Sequence, residues 1–432
     1  MKNICYLLLL SFSFTQGEGG ENVDILGYLE FGQNTSDITG FQQDGREFVA
    51  IGLQNAAAIV DVTDPANPFE ISRISGGNSM WRDLKYWDRH VYVGTEANNN
   101  NGIQIISVDN PDNPILVNTI NDMGNSHNIH IDADGYLYVV GSSGCDIWIY
   151  DLTSPSVPIQ EGCWNGEYIH DLEVYNNKAY ACGIYSGVFY IIDLEDKSNP
   201  STIVSYQTDS GGSYSTHDAA VTFDENYLII GDESPGAIIS IYDISNYNNI
   251  NKISEYFTDG YSGNGYLYRS AHNVYIQESS GLLITSFYID GTRFVDISDP
   301  YNPIEVGYYD TSDDDLATQG DPYYGNWGTY VDLPSGNIVS SDIENGLFIL
   351  GYDFAPSELN YSPDYFQFNL STNSSMNDIF SISNIGVEES NLTYDLSISP
   401  FESPSSGPDV NDNFWTDSDN ESSTPYNWID IS

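Results

Sequence analysis

Basic residues are scarce in this chain of 432 residues, which has 11 Lys and Arg against 63 Asp and Glu. The formal net charge of −52 argues against nucleic acid and anionic lipid as partners, because both carry negative charge themselves. An acidic surface of this kind instead attracts hydrated cations, including Ca²⁺. We therefore expect no nucleic-acid partner.

Long apolar runs are also lacking after the first residues. Lys2 precedes an apolar stretch over residues 4–14, which is too short to span a bilayer comfortably. This pattern predicts a signal peptide over residues 1–17 and no membrane span. The mature protein is therefore expected to be secreted or held at the cell surface.

Helical periodicity is missing as well, and short strand patterns take its place. Residues 126–164 contain four runs rich in β-branched and aromatic residues, separated by turns such as Asp134-Gly135. Four strands in about 40 residues without a helix are typical of one β-propeller blade.

The same unit recurs along the chain, most visibly as a third strand followed by a proline-bearing turn. Residues 23–29 resemble the fourth strand at 303–309, so an N-terminal strand is expected to complete the last blade and close the ring. The fold prediction is an all-β, seven-bladed propeller over residues 23–353. The predicted blades are 37–74, 79–120, 126–164, 168–208, 215–257, 270–310, and 326–353 with 23–31.

An aspartate closes most of the third strands, and its carboxylate can accept backbone N–H bonds in the turn. We interpret these aspartates as structural. They are Asp61, Asp151, Asp193, Asp243 and Asp296.

Only four cysteines are present, and Cys5 lies in the predicted signal peptide. Counting back from the turn between the third and fourth strands of blade 3 places Cys145 nearly opposite Cys163, within disulfide reach. An exported protein can keep such a bond. We predict that disulfide and a buried free thiol at Cys182.

Three features together resemble the choice-of-anchor B family of secreted or surface proteins built from LVIVD-type repeats. They are the repeated strand and turn, the His-Asn or His-Asp pair that opens successive units, and the segment 335–348. The resemblance implies an exported propeller with a variable C-terminal attachment, and it assigns no ligand. Members often carry cysteines at the positions of Cys145, Cys163 and Cys182 and a fourth at the position of Val174. Because this chain lacks the fourth cysteine, the resemblance implies that Cys182 is unpaired.

The composition changes after the propeller. Residues 354–363 form a predicted linker, and alternating patterns over residues 364–432 predict a partial Ig-like β-domain with a disordered C-terminal part. The last residues, 428–432, look like the start of a strand. We expect the natural protein to continue beyond Ser432.

One column of the aligned blades carries the strongest local signal. Four of the six histidines fall at the start of first strands, so they are expected to form an arc around one mouth of the central channel. The column and its neighbour supply the predicted ligand-binding residues. These are Arg82, Asp83, His127, His170, Asp171, His217, Asp218, His272 and Trp327.

Three interpretations of this column remain open. Each His-Asx pair could tie its blade to the next. His170 and His217 with Asp218 or Asp232 could hold a metal, either a transition ion on imidazole or Ca²⁺ on carboxylates. The arc could instead supply general acids and bases.

The composition and pattern favour an extracellular binding module over an enzyme. Its ligand face is the channel mouth lined by His and Asp, and its partner could be an extracellular protein or a glycan. The alternative is a propeller hydrolase or lyase, metal-dependent in one form, that uses the same arc. No nucleophile elbow or phosphate loop supports that alternative.

Overall fold

The computed structural model describes residues 19–97, 102–208, 215–258, 269–312 and 322–352, together with six short strands after residue 358. The chain divides into a unit over residues 1–354 and a second over residues 355–432. The predicted signal peptide lies outside the described residues.

The first unit is a seven-bladed β-propeller, as predicted, and each blade is an antiparallel sheet. First strands of consecutive blades contact one another at six of the seven junctions, and between blades 6 and 7 the second strand of blade 6 contacts the first strand of blade 7. The first strands therefore surround the central channel. In chain order, the strands of blades 1 to 4 are the following. Blade 1 has Thr35–Gln43, Arg46–Leu53, Ala56–Asp61 and Phe69–Ser75; blade 2 has Leu84–Trp87, His90–Val93, Ile103–Ser107 and Ile115–Ile120; blade 3 has Asn128–Ile131, Tyr136–Val140, Ile147–Asp151 and Ile159–Trp164; blade 4 has Asp171–Tyr175, Lys178–Gly183, Val188–Asp193 and Ser201–Gln207.

The last three blades follow the same order, with a short 3₁₀ turn, Tyr288–Asp290, inside blade 6. Blade 5 has Thr216–Val221, Tyr227–Asp232, Ile239–Asp243 and Asn251–Tyr256; blade 6 has Val274–Ile276, Leu283–Phe287, Gly291–Asp296 and Ile304–Asp310; blade 7 has Asn326–Tyr330, Ile338–Asp342 and Gly346–Tyr352.

The N-terminal residues join the last two blades. Val23–Leu29 pairs antiparallel with Gly346–Tyr352 as the fourth strand of blade 7. Gly19–Glu21 pairs with Ile304–Asp310 and adds a fifth strand to blade 6. The sequence pattern did not predict this fifth strand.

Apolar side chains between neighbouring sheets form the core. Val49 and Ile51 of blade 1 pack with Val339 and Ile349 of blade 7. Burial of each such side chain contributes roughly 1.5–3 kcal/mol. The sheets therefore pack face to face around the ring.

The pairing of the third and fourth strands contains a register shift in every blade; in blade 3 it lies between Ile149 and Tyr150. Such β-bulges bend the outer strand. At two of these bends the next blade's turn approaches closely. A Cβ on Gly27 would lie 1.7 Å from the Pro65 carbonyl oxygen, and one on Gly162 would lie 1.8 Å from that of Lys197.

The aspartates that close the third strands have the predicted structural role. Asp61 accepts the backbone N–H of Thr63 at 2.9 Å, and Asp243 accepts that of Ser245 at 3.0 Å. Asp151, Asp193 and Asp296 accept the equivalent N–H groups in their own turns. Each carboxylate thus fixes the turn that leads to the outer strand.

The predicted disulfide between Cys145 and Cys163 is confirmed, and Cys182 is a buried free cysteine. Cys163 lies on the fourth strand of blade 3, and Cys145 lies just before its third strand. The bond therefore joins neighbouring strands at one end of the blade.

Among the residues described in the second unit, six strands form three two-stranded antiparallel sheets. Leu359–Ser362 pairs with Ser381–Asn384, Ile398–Pro400 with Asn427–Ile429, and Ser406–Pro408 with Phe414–Thr416. The predicted linker over 354–363 thus contains a paired strand. The Ig-like domain over 364–432 stays a prediction. Within the described part of the chain, no helix is long and apolar enough to cross a membrane.

Candidate functional site at the channel mouth

Four histidines lie side by side where the first strands of blades 3 to 6 begin. We call His127, His170, His217 and His272 the His arc. Their ring centroids are 3.8 Å apart between His127 and His170, 4.6 Å between His170 and His217, and 4.4 Å between His217 and His272. The sequence column thus becomes one continuous row of imidazoles.

Local backbone geometry aims two rings of this region into the mouth. His217 lies at a register shift between Thr216 and Asp218, and Trp327 lies at a similar shift in blade 7. Bulges of this kind re-aim a side chain relative to the regular strand. The Trp327 ring lies 5.1 Å from that of His272 and continues the row.

A cavity of about 20 Å³ lies at the mouth. That volume accommodates about one water-sized particle. Of the predicted ligand-binding residues, Arg82, Asp83, His127, His217, His272 and Trp327 line it, and Trp81 does so too. The space suits an ion or a single ligand atom better than a whole organic molecule.

Glutamates contact both halves of the arc. His127 Nδ1 lies 2.6 Å from Glu96 Oε1. On the other side, Glu233 lies 3.7 Å from His217 Nε2 and 3.9 Å from His272 Nε2. The Tyr288 hydroxyl donates to Glu233 at 2.6 Å.

The buried imidazoles are neutral at pH 7. Burial, followed by the neighbouring imidazoles, lowers the pKa of His170 and His217 well below the usual value. Burial also lowers the pKa of His272 to about 4, while its Nδ1 donates to the Trp327 carbonyl oxygen at 2.5 Å. A neutral imidazole offers the lone pair that a metal ion requires.

Two ring nitrogens of the arc, on His170 and His217, are buried and make no hydrogen bond of normal geometry with the described residues. His170 is 8% exposed, and its buried Nδ1 has no hydrogen-bond partner among the described residues. Buried polar atoms in native proteins nearly always have partners. The lone pair of such a nitrogen is therefore open to a ligand that the protein itself does not supply.

Two groups of three side chains place their ligand atoms within 4.8 Å of one another. We call His127, His170 and His217 the first triad, and His217, Glu233 and His272 the second triad. Imidazole with carboxylate is a ligand set that Zn²⁺ and related transition ions accept. Carboxylates alone, as Ca²⁺ prefers, do not form this site.

Two of the four predicted metal ligands belong to these triads. His170 and His217 belong, whereas Asp218 and Asp232 do not. Asp232 ends a strand opposite Thr216, so the side chain of the next residue, Glu233, is directed away from that of Asp232. Glu233 therefore faces the arc instead.

The Asx residues of the column tie the blades together. Asp83 accepts the Ile129 N–H at 2.6 Å, and Asp218 accepts the Val274 N–H at 2.8 Å. Asp171 accepts the side-chain amide of Asn128. The interpretation of Asx as a link between blades fits these contacts, whereas none of these carboxylates belongs to a triad.

Arg82 is also engaged with the backbone. It is almost fully buried and donates to the carbonyl oxygens of Leu53 at 2.9 Å and Gly77 at 2.5 Å. Burial lowers the pKa of Arg82 to about 10. Arg82 thus shapes the wall of the mouth.

A second cavity, of about 220 Å³, lies deeper in the channel and contains Asp171 and Asp218 in its wall. Lys85 also lines it and lies 2.6 Å from Asp83. Glu173 accepts the Val221 N–H at 2.6 Å, and burial raises its pKa to about 8. The channel wall is thus a ring of links between blades with few positive charges.

The sequence pattern did not assign Glu96, Glu233 or Tyr288 to the site. Glu96 and Glu233 both follow second strands, so their position was visible. The direction of their side chains could not be predicted, because it depends on the local strand register.

Comparisons with known proteins agree with the fold. Residues 47–75 and 293–311 match the LVIVD repeat. No functionally curated protein matches the chain in sequence. Among solved structures, the β-propeller domain of Cps50 (Swd1) from Myceliophteria thermophila is similar at 11% identity and a TM-score of 0.52, covering 76% of this chain and 98% of that one.

Two further similar structures are described as an enzyme or a candidate enzyme. A candidate 6-phosphogluconolactonase from Bacteroides uniformis has 11% identity and a TM-score of 0.53, covering 76% of this chain and 93% of its own. A streptogramin B lyase has 12% identity and a TM-score of 0.50, covering 78% and 99%. At such identities the likeness establishes a shared β-propeller fold and nothing about chemistry.

Proposed function

We propose that this LVIVD-repeat propeller is an extracellular binding module whose channel mouth holds a divalent transition-metal ion. The metal-loaded mouth binds the ligand. The observation that carries the proposal is the His arc, in which four imidazoles, three of them buried and neutral, and Glu233 supply two overlapping ligand triads. If the imidazoles served only to link blades, each ring nitrogen would be expected to hydrogen-bond with a neighbouring blade. His170 Nδ1 instead has no hydrogen-bond partner among the described residues.

Export and surface attachment belong to the same proposal. The chain is proposed to be a choice-of-anchor B protein, with a signal peptide over residues 1–17 and an Ig-like domain over 364–432. Support comes from the LVIVD matches, the segment 335–348 and the Cys145–Cys163 bond, which suits an oxidising compartment. Mass spectrometry of the mature N-terminus in its native host tests the export step.

The surroundings of the arc suggest how a ligand would be held. Three protein ligands leave at least one position on a four-coordinate ion for an outside donor atom. Trp81 is 46% exposed and lines the same small cavity as Trp327. A ligand is expected to place one oxygen or nitrogen on the metal and a flat or apolar part against these rings.

A metal-dependent hydrolase or lyase is the alternative, and Glu96 is the residue that favours it. Its side chain is 31% exposed and contacts His127, so it could accept a proton from a metal-bound water. Hydrolysis that disappears in Glu96→Gln while metal binding persists would select this alternative.

Zinc titration tests the proposal directly. The full chain is stripped with a chelator, and Zn²⁺ is titrated by calorimetry at pH 7.5. We expect stoichiometric binding and a rise of the melting temperature with Zn²⁺, because a ligand that binds only the folded state stabilises it. His217→Ala should abolish both effects.

His90→Ala is the matched control. His90 is also buried, and its ring nitrogens contact the Asp88 carbonyl oxygen and the Ser156 hydroxyl, away from the arc. It should lose stability and keep zinc binding. Absence of zinc binding in the folded wild-type chain, or equal binding in wild type and His217→Ala, would refute the proposal.

A further inference from the structure

His217 is shared by the first triad and the second triad, and no other residue is shared. From this we propose that the mouth holds two divalent transition-metal ions bridged by the two ring nitrogens of His217. The inference rests on the proposed metal-dependent function and specifies its metal stoichiometry.

A single ion cannot use all five side chains. Within each triad the ligand atoms lie within 4.8 Å of one another, but among the described residues the two triads do not merge into one group. Zn–N bonds of about 2.1 Å place tetrahedral ligands roughly 3.4 Å apart. One ion would therefore satisfy one triad and leave the other triad's nitrogens without partners.

The second triad uses Nε2 of two rings. The Nδ1–H of His272 donates to the Trp327 carbonyl oxygen, so its Nε2 carries the lone pair. Nε2 of His217 and Nε2 of His272 both face Glu233, at 3.7 and 3.9 Å. An ion between these three groups would have two nitrogen ligands and one carboxylate.

The first triad has a different set of free atoms. His127 Nδ1 is engaged by Glu96, which leaves its Nε2 for a metal. His170 Nδ1 is buried and makes no hydrogen bond with the described residues. His217 Nδ1 is also buried without a hydrogen bond of normal geometry, although the His217 ring contacts the backbone of His272. We assign the first ion to these three nitrogens, one of which belongs to the ring already used by the second triad.

Bridging has a definite proton balance. A neutral imidazole carries one N–H, so His217 must lose that proton to solvent when the second ion binds to its other nitrogen. The resulting anionic ring, together with Glu233 and Glu96, offsets part of the added charge. The strongly acidic chain, with its net charge of −52, favours a second cation at the mouth.

Metal counting on the full chain tests the inference. After chelator treatment and saturation with Zn²⁺, gel-filtered wild-type protein is analysed for zinc content. We expect two zinc ions per chain. Glu233→Gln and His170→Ala should each retain one, because each removes a ligand from one triad only, and His217→Ala should retain none.

Copper provides a second readout that does not depend on variants. With Cu²⁺ in place of zinc, two ions bridged by one imidazole couple their unpaired electrons. Near liquid-helium temperature, where such a weakly coupled pair occupies its spin-paired ground state, the paramagnetic resonance signal should correspond to far fewer spins than the copper content. A full spin count would overturn the bridge.

The outcomes separate this inference from the proposed function. One zinc ion in the wild type would overturn the two-ion inference and leave the metal-binding module intact. No zinc would overturn both. His90→Ala must retain two ions, and His170→Gln replaces His170→Ala if the alanine variant does not fold.

Discussion

The carboxylate of Asp218 in blade 5 accepts the backbone N–H of Val274 in blade 6 at 2.8 Å. Its other oxygen accepts the N–H of Ala219 in its own strand at 2.7 Å. Equivalent contacts join other neighbouring first strands, such as Asp83 to Ile129. The channel wall is therefore held by side chains that reach from one blade to the next.

Asp218→Ala is expected to destabilise the propeller. Two buried N–H groups lose their acceptor, and each such loss costs about 1–3 kcal/mol. We expect the free energy of unfolding to fall by about 2–4 kcal/mol in denaturant titrations. Asp218→Asn keeps one acceptor oxygen and should lose less.

Glu161→Ala is the control for that experiment, because its side chain is exposed on the outer strand of blade 3. It should change stability by less than about 0.5 kcal/mol. Equal stability of Asp218→Ala and wild type would contradict a structural role for the carboxylate.

Gly27→Ala tests whether the N-terminal strand, residues 23–29, packs against the Pro65 turn of blade 1. The added Cβ would lie 1.7 Å from the Pro65 carbonyl oxygen of blade 1, so the strand or the turn must move. Crowding of this kind typically costs about 1–3 kcal/mol. The melting temperature should fall, with little change for Asp24→Ala, which is exposed on the same strand. An unchanged melting temperature would mean that residues 23–29 do not lie against that turn.

The blades could be predicted because each repeats four short apolar runs with a marked turn, and the buried strands need that composition. The aspartate turns were predictable for the same reason, since Asp61 and Asp243 act within two residues of their own position. The His arc followed from equal positions in equal blades. Repetition converts a column of the sequence into a ring in space.

The features that the sequence did not predict depend on strand register, which local patterns do not determine. A one-residue shift reverses the direction of a side chain. The sequence favoured Asp232 as a ligand, whereas Glu233 faces the arc because successive side chains point in opposite directions and Asp232 lies opposite Thr216. The fifth strand, Gly19–Glu21, has three residues with no apolar pattern, and only pairing with blade 6 makes it a strand.

Loss of the Cys145–Cys163 disulfide should lower stability. The bond closes a loop with a sequence separation of 18 residues, for which chain entropy accounts for about 3 kcal/mol. We expect the double variant Cys145→Ser/Cys163→Ser to melt several degrees below wild type. Reductant should lower wild type and Cys182→Ala by similar amounts, since Cys182 is unpaired. Reductant-sensitive stability in the double variant would contradict this assignment.

Glu173 is expected to make stability depend on pH. Burial, with a smaller effect of Asp218, raises its pKa from 4.5 to about 8. Between these values the folded protein binds a proton that the unfolded chain has released, so stability falls as pH rises from about 4.5 to about 8. At higher pH this loss is complete, because both states are then ionised.

Glu173→Gln removes this dependence and keeps an amide oxygen that can accept the Val221 N–H. The stabilities of variant and wild type should be similar near pH 4.5 and diverge toward pH 8, where the variant is more stable by about 1–3 kcal/mol after allowance for partial exposure. Thermal unfolding measured from pH 4.5 to pH 9 provides the comparison. The exposed Glu161→Gln should follow the wild-type curve. If Glu173→Gln follows it too, then Glu173 is ionised in the folded protein at neutral pH, and the channel wall holds one more negative charge than inferred.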